Sequence, residues 1–371
     1  MRIIVSGGGT GGHIYPAITL INNIKKIVPD AQFLYVGTTK GLEADIIPRE
    51  KLPFVTIDIS GFKRQLTAKN IFILLKALGG VVKARKIVKD FHPDVAIGTG
   101  GYVCGPILMA ASLMHIPSLI QEQNAIPGVT NKILAKFVDK IAVGYQRAAK
   151  FFPANKVVFT GNPIRDDILL STRRQGLMEF GLDTNKKTIL ISGGSRGAHS
   201  INQAMLEVHK HFANNYRVQL LHVTGKNEYD FVINSLKQEG LDVNNIDNIY
   251  VYPYLYDMPK AMAVADIAVS RAGATSLAEL TAKGIPSVLI PYPYAAENHQ
   301  EFNARELEKK GAAKVIINRE LTGEKLINAL EDMLASENRL LAMSEASRSM
   351  GRPSAAQAIA EMAVALANKN K

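Results

Sequence analysis

Short apolar runs alternate along the chain with longer stretches in which apolar residues recur every three or four positions. Runs of strand length that alternate with helical periodicity are typical of parallel βαβ units. In the first half the pattern predicts strands at residues 2–6, 33–37, 55–59, 95–98, 118–121 and 141–144. After a polar stretch at about 172–187 it predicts further strands at residues 188–192, 218–224, 248–252, 267–270, 287–291 and 313–317.

The pattern predicts an α/β protein built from two doubly wound, Rossmann-like parallel sheets. We place the domains at residues 1–163 and 164–350, followed by a segment at 351–371 whose helix, at 355–367, packs back on the N-terminal domain. Ligands of such sheets bind beyond the carboxyl ends of the strands. The two sheets are therefore expected to face each other across a ligand-binding cleft.

The composition is that of a globular protein. Hydrophobic residues make up 47% of the chain and charged residues 21%, which excludes collagen-like and disordered classes. The single cysteine, Cys104, can form neither an internal disulfide nor a cysteine-rich metal cluster, which favours a reducing compartment. The N-terminus does not have the apolar stretch of a signal peptide, and glycines and prolines interrupt the longest uncharged run. These features predict a cytosolic protein.

The net charge of +11 is concentrated in the first half of the chain. Residues 1–160 contain 20 Lys and Arg against 9 Asp and Glu, whereas residues 161–371 contain 24 of each class. This asymmetry indicates that the first half meets an anionic partner: a nucleic acid, a phosphorylated substrate or a membrane surface. A basic surface that serves only solubility would give the same counts.

Four predicted strand ends carry glycine-rich loops, at residues 7–12, 98–103, 193–198 and 273–276. Glycine lets backbone N–H groups approach an anion closely, and the helix that follows adds its positive N-terminal end. Each loop is therefore a candidate phosphate or sugar site, although glycines also serve in plain strand-to-helix turns. The first loop ends beside His13, whose imidazole suits acid–base chemistry near neutral pH.

The first loop also fits the G-x-G-x-x-G pattern of dinucleotide enzymes. An NAD site would need an acidic residue at the end of the second strand, where residues 35–39 contain none. The chain has neither a Walker loop nor an Asp-x-Asp pair, so we predict no P-loop ATP site and no metal ion. Glu279 follows the last glycine loop by about one helical turn, where it could accept both hydroxyls of a ribose or simply complement the helix dipole.

Six motifs give the chain a specific resemblance to a known family. In chain order they are GGGTGGH at 7–13, GTGGYV at 98–103, EQN at 122–124 followed by TNK at 130–132, GNPIR at 161–165, GGSRGA at 193–198 and RAGATSLAE at 271–279. Over essentially the whole chain they resemble the GT-B glycosyltransferases. Within that class they resemble the bacterial UDP-N-acetylglucosamine transferases that convert lipid I into lipid II in peptidoglycan synthesis.

The resemblance implies an inverting transfer of GlcNAc from UDP-GlcNAc to the C4 hydroxyl of the MurNAc-pentapeptide carried on undecaprenyl diphosphate. It implies a hexosyltransferase of cell-wall biogenesis, cell shape and cell division that needs no cofactor and binds no nucleic acid. Such an enzyme would be a peripheral protein on the cytoplasmic face of the bacterial membrane. The N-terminal domain would bind the acceptor and meet the membrane, and the C-terminal domain would bind UDP-GlcNAc.

Carried over residue by residue, the resemblance makes His13 the candidate catalytic base and leaves Glu122 open as an alternative. Tyr102 and Glu122 would lie on the acceptor side. The donor site that it implies consists of Thr10, Gly11, Gly12, Asn124, Arg165, Ser195, Leu255, Gly273, Ala274, Thr275, Ser276, Leu277, Ala278, Glu279 and Gln300.

Some of these donor residues have a specific implied role. Ser195 would contact the diphosphate, Glu279 the ribose and Gln300 the GlcNAc hydroxyls. The backbone at Leu255 would pair with uracil. Two positions depart from some relatives, Gln121 in place of a histidine and His299 in place of a glutamine, which changes the polarity around the site.

The segment from 61 to 89 is a candidate membrane contact. It contains no acidic residue and eight basic ones, Lys63, Arg64, Lys69, Lys76, Lys83, Arg85, Lys86 and Lys89. Ile71, Phe72 and Leu75 belong to a run that is apolar on all sides of a helix. Apolar area surrounded by Lys and Arg is typical of contact with anionic lipid, and a helix that covers the sheet is the other interpretation.

Two other functions fit parts of the sequence. A non-hydrolysing UDP-GlcNAc 2-epimerase shares the architecture and the nucleotide half but needs no lipid acceptor. A basic, non-enzymatic nucleic-acid-binding protein would fit the charge, but the chain shows no RNA-binding motif and has no Trp. UDP release that depends on a lipid I analogue would separate the transferase from both.

Overall fold

The structure is a computed structural model that describes residues 1–57, 69–194 and 196–369. Within these ranges the side chains of residues 69–78 and of Asn244 lie outside the description. The chain divides into two compact units. Unit 1 comprises Met1–Ile164 and Pro353–Lys371, and unit 2 comprises Arg165–Arg352.

In the described residues of unit 1, seven parallel strands form one sheet in the order β3-β2-β1-β4-β5-β6-β7. The strands are β1 (Arg2–Ser6), β2 (Gln32–Gly37), β3 (Phe54–Thr56), β4 (Val95–Gly98), β5 (Ser118–Glu122), β6 (Lys140–Val143) and β7 (Val157–Phe159). β1 lies between β2 and β4, with Val5 opposite Tyr35 and Ile97. The chain order therefore reverses beside β1, which is where ligands of doubly wound sheets bind.

Helices cover both faces of this sheet, which is why its central strands are apolar on both sides. The helices are α1 (Gly11–Ile27), α2 (Glu43–Arg49), α3 (Lys69–Phe91), α4 (Cys104–Leu113) and α5 (Val129–Leu134). Because side chains alternate along a strand, Ile3 and Val5 pack with α1, whereas Ile4 packs with α3 and α4.

Unit 2 repeats this architecture with six parallel strands among its described residues, in the order β10-β9-β8-β11-β12-β13. The strands are β8 (Lys187–Ser192), β9 (Val218–Val223), β10 (Ile249–Tyr252), β11 (Ile267–Ser270), β12 (Ser287–Leu289) and β13 (Ala313–Val315). The chain order reverses between β8 and β11.

The helices of unit 2 also flank their sheet. They are α6 (Asp166–Leu170), α7 (Arg173–Phe180), α8 (His199–Phe212), α9 (Tyr229–Gln238), α10 (Met258–Val264), α11 (Ala274–Lys283), α12 (His299–Lys309), α13 (Gly323–Leu334) and α14 (Glu337–Met350). α8 and α13 pack on one face, where Met205, Leu330 and Met333 join the strand residues in the core.

The last helix returns to unit 1. α15 (Ala355–Asn368) begins just after Pro353 and packs against α1, with Ile359, Ala360 and Ala363 fully buried in the core beside Ile18. Its alanines allow the two helices to approach closely.

The structure confirms two parallel-sheet α/β units and corrects several element bounds. The edge strand β7 was not predicted, because three partly exposed residues give too short a pattern. The polar stretch at 172–187 contains α7, which begins with a capping box between Thr172 and Gln175 and ends at Gly181 with a φ of 62°. The pattern missed this helix because few of its residues are apolar.

Some predicted strands are too long. The strand predicted at 55–59 ends at Thr56 in the structure, and residues 58 and 59 lie outside the described residues. The strands predicted at 287–291 and 313–317 end at Leu289 and Val315. For β12 the reason is Pro291, which has no N–H to donate to a neighbouring strand.

Candidate active site

The four glycine loops lie at the two points where the strand order reverses. In unit 1 the loops at 7–12 and 98–103 follow the neighbouring strands β1 and β4. In unit 2 the loops at 193–198 and 273–276 follow the neighbouring strands β8 and β11. The carboxyl ends of these strand pairs are the expected ligand positions in doubly wound sheets. Each unit therefore has its candidate site at the carboxyl ends of two neighbouring strands, where glycine loops line it.

The two loops of unit 1 are packed directly on each other. The Gly8 N–H donates to the Gly100 carbonyl oxygen at 3.3 Å. Gly101 has a φ of 82°, and a Cβ at this position would lie 2.3 Å from the Gly8 carbonyl oxygen. Only glycine fits such a close approach between two backbones. The glycines at 100 and 101 thus hold the first loop in a defined shape.

His13 sits in the first turn of α1, and its ring is fixed by that loop. Its Nδ1 lies 2.9 Å from the Gly8 carbonyl oxygen and 3.3 Å from Thr10 Oγ1. Because a carbonyl oxygen only accepts hydrogen bonds, Nδ1 carries the hydrogen, and Nε2 is the basic nitrogen of the neutral ring. The Thr99 hydroxyl holds the backbone beneath the ring by donating to the His13 carbonyl oxygen at 2.8 Å. This is the tautomer that a general base at Nε2 requires.

The other acceptor-side candidates lie around the carboxyl ends of the same two strands, β1 and β4. The Tyr102 ring borders the first loop, since a Cβ at Gly9 would lie 3.8 Å from it. Thr10 is the N-cap residue of α1, and Gly11 and Gly12 form its first turn. The backbone N–H groups at such a helix start favour an anionic or strongly polar ligand.

Glu122 is a buried anchor of the loop that follows β5. Its Oε1 accepts hydrogen bonds from the Asn124 N–H at 2.9 Å and from Asn124 Nδ2 at 3.2 Å. Its Oε2 accepts hydrogen bonds from the Gly128 N–H at 3.1 Å and from Asn131 Nδ2 at 2.8 Å. Burial raises the pKa of the Glu122 carboxyl, and these four hydrogen bonds oppose the shift. With both oxygens occupied, Glu122 is better placed to shape the loop around Asn124 than to take a proton from a substrate.

Gln121, the first departure from some relatives, belongs to a buried amide network. Its Nε2 donates to Asn162 Oδ1 at 2.9 Å, and Asn162 Nδ2 donates to the Gln123 carbonyl oxygen at 3.0 Å. Gln123 Nε2 donates to the Thr99 carbonyl oxygen. The network ties β5 to the loop after β4, so Gln121 has a structural role behind the site.

In unit 2 the first glycine loop leads into α8. Gly194 and Gly197 have φ values of 95° and 78°, and a Cβ at Gly197 would lie 2.0 Å from the Thr224 carbonyl oxygen. The positive φ values favour glycine at both positions, and the close contact at Gly197 holds the loop against the end of β9. Ser195, the predicted diphosphate contact, lies outside the described residues.

The second glycine loop of unit 2 opens α11 and leads to Glu279. Gly273 is the N-cap residue, and residues 274–278 form the first turns, in which Ala274 and Leu277 are buried while Thr275, Ser276 and Ala278 are partly exposed. The structure brings Glu279 to Arg165, with 3.7 Å between Glu279 Oε1 and Arg165 Nε. Burial raises the pKa of the Glu279 carboxyl to about 7, Arg165 opposes the shift and Asp167 adds to it. This buried carboxylate titrates near neutral pH and is open to tuning by a ligand.

The two remaining donor candidates lie on other loops of unit 2. Gln300 is in the first turn of α12, and its Oε1 accepts a hydrogen bond from the Tyr292 N–H at 2.9 Å. Leu255 follows β10 and is partly buried. His299, the second departure from some relatives, donates from Nδ1 to the Ala296 carbonyl oxygen at 2.6 Å. Burial lowers the pKa of His299, so its ring is neutral at physiological pH.

Arg271 was not predicted as a site residue, yet it joins three segments of unit 2. Its Nη1 donates to Asn318 Oδ1 at 2.7 Å and to the Ile290 carbonyl oxygen at 3.2 Å, and its Nη2 donates to Ser200 Oγ at 2.9 Å. These partners are uncharged, so the guanidinium leaves a positive charge beside the glycine loops. The signal in the sequence was a cation directly after a buried strand and before a glycine loop.

Three further findings bear on the remaining predictions. The described residues contain no group of three or more His, Cys, Asp or Glu that could hold a metal ion. No helix in the described part of the chain is both long and apolar enough to cross a membrane. The side chains of Ile71, Phe72 and Leu75, the predicted membrane contacts, lie outside the description.

Comparison with known proteins identifies the class to which this fold and site belong. Residues 3–143 match the glycosyltransferase family 28 N-terminal domain, and residues 188–359 match the glycosyltransferase family 28 C-terminal domain. The chain therefore belongs to glycosyltransferase family 28.

Individual relatives narrow this class. The chain is 50% identical over 357 residues, 96% of each protein, to the UDP-N-acetylglucosamine–N-acetylmuramyl-(pentapeptide) pyrophosphoryl-undecaprenol N-acetylglucosamine transferase of Bacillus pumilus. It also resembles the crystal structure of Acinetobacter baumannii MurG, with 27% identity, a TM-score of 0.79 and coverage of 98% and 99%. The UDP-GlcNAc 2-epimerase from Neisseria meningitidis shares the fold, with a TM-score of 0.67, coverage of 98% and 100% and 15% identity.

Proposed function

We propose that this chain transfers GlcNAc from UDP-GlcNAc to the C4 hydroxyl of lipid I, which yields lipid II and UDP. The observation that carries the proposal is the fixed ring of His13, whose basic Nε2 stands in a glycine-lined helix start at the carboxyl end of β1. The relative in Bacillus pumilus, which matches this chain over nearly the full length of both proteins, is named for this activity.

The chemistry is a single displacement with inversion at the anomeric carbon. His13 Nε2 removes the proton of the acceptor C4 hydroxyl, and the oxygen forms a bond to C1 of GlcNAc. The bond between C1 and the β-phosphate oxygen breaks, and its electron pair leaves with UDP. One base and one stabilised leaving group are sufficient for this reaction.

The donor half of the reaction falls to unit 2. The diphosphate would lie at the starts of α8 and α11, where backbone N–H groups and the positive ends of the helices stabilise negative charge. The charge of Arg271, which has uncharged partners, would strengthen that field. Glu279 would accept the ribose hydroxyls, and its pKa near 7 in the free protein would fall on binding because the hydroxyls donate to the ionised form.

One experiment tests this function directly. Release of UDP and formation of the disaccharide product are followed by chromatography with UDP-GlcNAc alone and with a soluble lipid I analogue. We expect turnover only with the analogue. Formation of UDP-ManNAc without an acceptor would instead indicate the 2-epimerase, to which the likeness extends in fold alone.

Turnover should not require a divalent metal ion. We expect EDTA to leave the rate within about twofold of the untreated enzyme, because helix starts and Arg271 stabilise the leaving diphosphate in place of a cation. Chromatographic detection of UDP avoids coupling enzymes that themselves need Mg²⁺. Complete loss of turnover that Mg²⁺ restores would contradict this assignment of the diphosphate site.

The lipid acceptor also calls for contact with an anionic membrane surface, which we assign to unit 1. α3 packs along α4. Leu113 at the end of α4 and Ile133 in α5 are 63% and 50% exposed. The Ser112 hydroxyl donates to the Phe137 carbonyl oxygen at 2.8 Å and so joins the end of α4 to the segment that follows α5. Apolar side chains exposed on this side, in the basic half of the chain, fit a peripheral protein on the cytoplasmic face of the membrane.

Serine substitution at Ile71, Phe72 and Leu75 together should release the protein from vesicles. We expect cosedimentation with phosphatidylglycerol vesicles to fall at least about tenfold, while turnover of a short-chain acceptor is kept, because apolar insertion and charge attraction act jointly.

A matched control replaces three exposed apolar residues of unit 2, Leu170, Met178 and Leu341, with serine. The control should bind vesicles like the unchanged protein. Vesicle binding that survives the triple change at 71, 72 and 75 would show that this segment is a core helix.

A further inference from the structure

We propose that Glu43 is a positioning residue that raises the basicity of His13 through the peptide bond between Gly8 and Gly9. The inference rests on the proposed role of His13 as the base. The carboxylate and the imidazole do not bond directly. They bind the two ends of the same peptide unit, so the charge of one reaches the other through that unit.

The Glu43 carboxylate is fully buried behind the first glycine loop. Its Oε2 accepts a hydrogen bond from the Gly9 N–H at 3.0 Å. Its Oε1 accepts hydrogen bonds from the Thr38 N–H at 3.0 Å and from the Thr38 hydroxyl at 2.7 Å. Burial raises the pKa of the Glu43 carboxyl, but these hydrogen bonds outweigh burial and hold the pKa below its usual value. Glu43 is therefore ionised at the pH at which the enzyme would work.

The peptide unit that Glu43 holds is the one that holds His13. The N–H of this unit belongs to Gly9 and donates to Glu43, and its C=O belongs to Gly8 and accepts from His13 Nδ1 at 2.9 Å. Hydrogen bonds at the two ends of one amide polarise each other, so a carboxylate on the N–H side makes the C=O a stronger acceptor. A stronger acceptor at Nδ1–H stabilises the imidazolium and makes Nε2 a stronger base.

The fit around Glu43 leaves little freedom for the peptide to turn. A Cβ at Gly8 would lie 2.5 Å from Glu43 Oε1, and a Cβ at Gly41 would lie 2.2 Å from Glu43 Oε2. The loop is thus clamped in the orientation that keeps the amide between carboxylate and imidazole.

Other titratable groups face this loop and have to be weighed. Burial raises the pKa of Tyr35 well above its usual value and that of the Cys104 thiol to about 12, so both are neutral at physiological pH. Tyr102 borders Gly9, and Tyr15 lies next to Gly11. Among the described groups that face the loop, Glu43 is the one that carries a negative charge at neutral pH.

The first test is a titration of the free protein, with no turnover involved. The chain has eight histidines, and labelling them with ¹⁵N allows the ring of His13 to be followed by NMR, assigned with the His13→Gln variant. In Glu43→Gln, loss of the negative charge destabilises the imidazolium, so His13 should release its proton about one pH unit lower. Glu43→Asp keeps the charge and should leave the midpoint close to that of the unchanged protein.

Tyr35→Phe is the matched control for disturbance of the loop. It removes the hydrogen bond of 2.6 Å from the Tyr35 hydroxyl to the Gly7 carbonyl oxygen, which is not part of the peptide unit between Glu43 and His13, and it changes no charge. The midpoint of His13 should therefore stay in place. In the unchanged protein, the Gly9 amide proton should shift with the same midpoint as the His13 ring. Both belong to the hydrogen-bonded relay that runs from the Glu43 carboxylate through the peptide unit to His13. This last measurement needs no variant, and a Gly9 amide that does not follow the His13 ring would contradict the proposal even if Glu43→Gln fails to fold.

Activity provides a second readout. The acidic limb of kcat in Glu43→Gln should move to lower pH by the amount found in the titration, and the plateau kcat should fall by at most about tenfold, because the base is weaker by about one pKa unit. KM for UDP-GlcNAc should stay within about twofold, since the proposed contacts to the nucleotide lie in the other unit.

The outcomes separate the two proposals. An unchanged His13 midpoint in folded Glu43→Gln, an equal shift in Glu43→Asp, or a Gly9 amide that ignores the His13 titration would each overturn the relay. Failure of the unchanged protein to transfer GlcNAc would overturn the proposed function and leave the titration result standing.

Discussion

Replacing His13 with alanine should lower kcat by about 10²–10⁴-fold while KM for UDP-GlcNAc changes little. A positioned general base contributes rate enhancement of this size, and the proposed base His13 belongs to unit 1, whereas the proposed nucleotide contacts lie in unit 2. The acidic limb of the kcat profile should disappear together with the ring. A base has to be neutral before it can take a proton, so the activity of the unchanged enzyme should fall as the pH falls.

His115→Asn is a suitable control for the loss of a histidine from unit 1. His115 is exposed at the amino end of β5, on the sheet edge opposite the candidate site, and has a φ of 56° that asparagine tolerates. The control should keep the kcat and the pH profile of the unchanged enzyme. If His13→Ala kept near-normal kcat with the same acidic limb, another base would have to be sought. Glu122 would be a poor choice, because both of its oxygens already accept two hydrogen bonds.

Residues whose position depends only on the neighbouring sequence could be predicted. The apolar run of β1, the glycines after it and His13 form one continuous stretch, so the local pattern predicted that this candidate base lies at the end of a strand and the start of a helix. The same holds for α11, where Gly273 precedes the helix that carries Glu279. Glycine loops after strands are read locally, and the doubly wound fold then brings them to the strand edges.

Residues that act through a distant partner could not be predicted. Glu43 is one acidic residue in the first turn of a short helix, and its role depends on the pairing of its carboxylate with the amide of Gly9. The state of Glu279 depends on Arg165, which is far away in the chain and reaches it only after folding. α7 was missed for another reason: tertiary contacts with α10 support a helix whose sequence is mostly polar.

Replacing Glu279 with glutamine should raise KM for UDP-GlcNAc about 10- to 100-fold at pH 8, with a small change in kcat. Hydrogen bonds from two ribose hydroxyls to an ionised carboxylate contribute about 1.5–3 kcal/mol, most of which a neutral amide would lose. The pH dependence should change as well. The carboxyl has a pKa of about 7 in the free protein, so KM of the unchanged enzyme should rise as the pH falls below 7, and KM of Glu279→Gln should not follow.

At pH 8 the substitution Glu279→Gln should stabilise the folded protein although it weakens donor binding. A carboxyl whose pKa is raised by folding from an ordinary value of 4.5 to about 7 favours the folded state at low pH and loses that contribution as the pH rises through 7. Glu279→Gln removes this loss, so at pH 8 it should unfold at a higher temperature than the unchanged protein, whereas at pH 4 the difference should vanish. Thermal unfolding at the two pH values measures this directly.

Asp167→Asn changes the pKa of Glu279 without changing the Glu279 side chain. Asp167 raises the pKa of Glu279 and is about half exposed, so its neutralisation should shift the pH dependence of KM to lower pH while the ribose contact is kept. If Glu279→Gln left KM unchanged at pH 8 yet stabilised the protein there, the buried carboxylate would be real but the ribose would bind elsewhere. If neither quantity changed, Glu279 would already be neutral and shielded from the donor, and the nucleotide site built around α11 would be wrong.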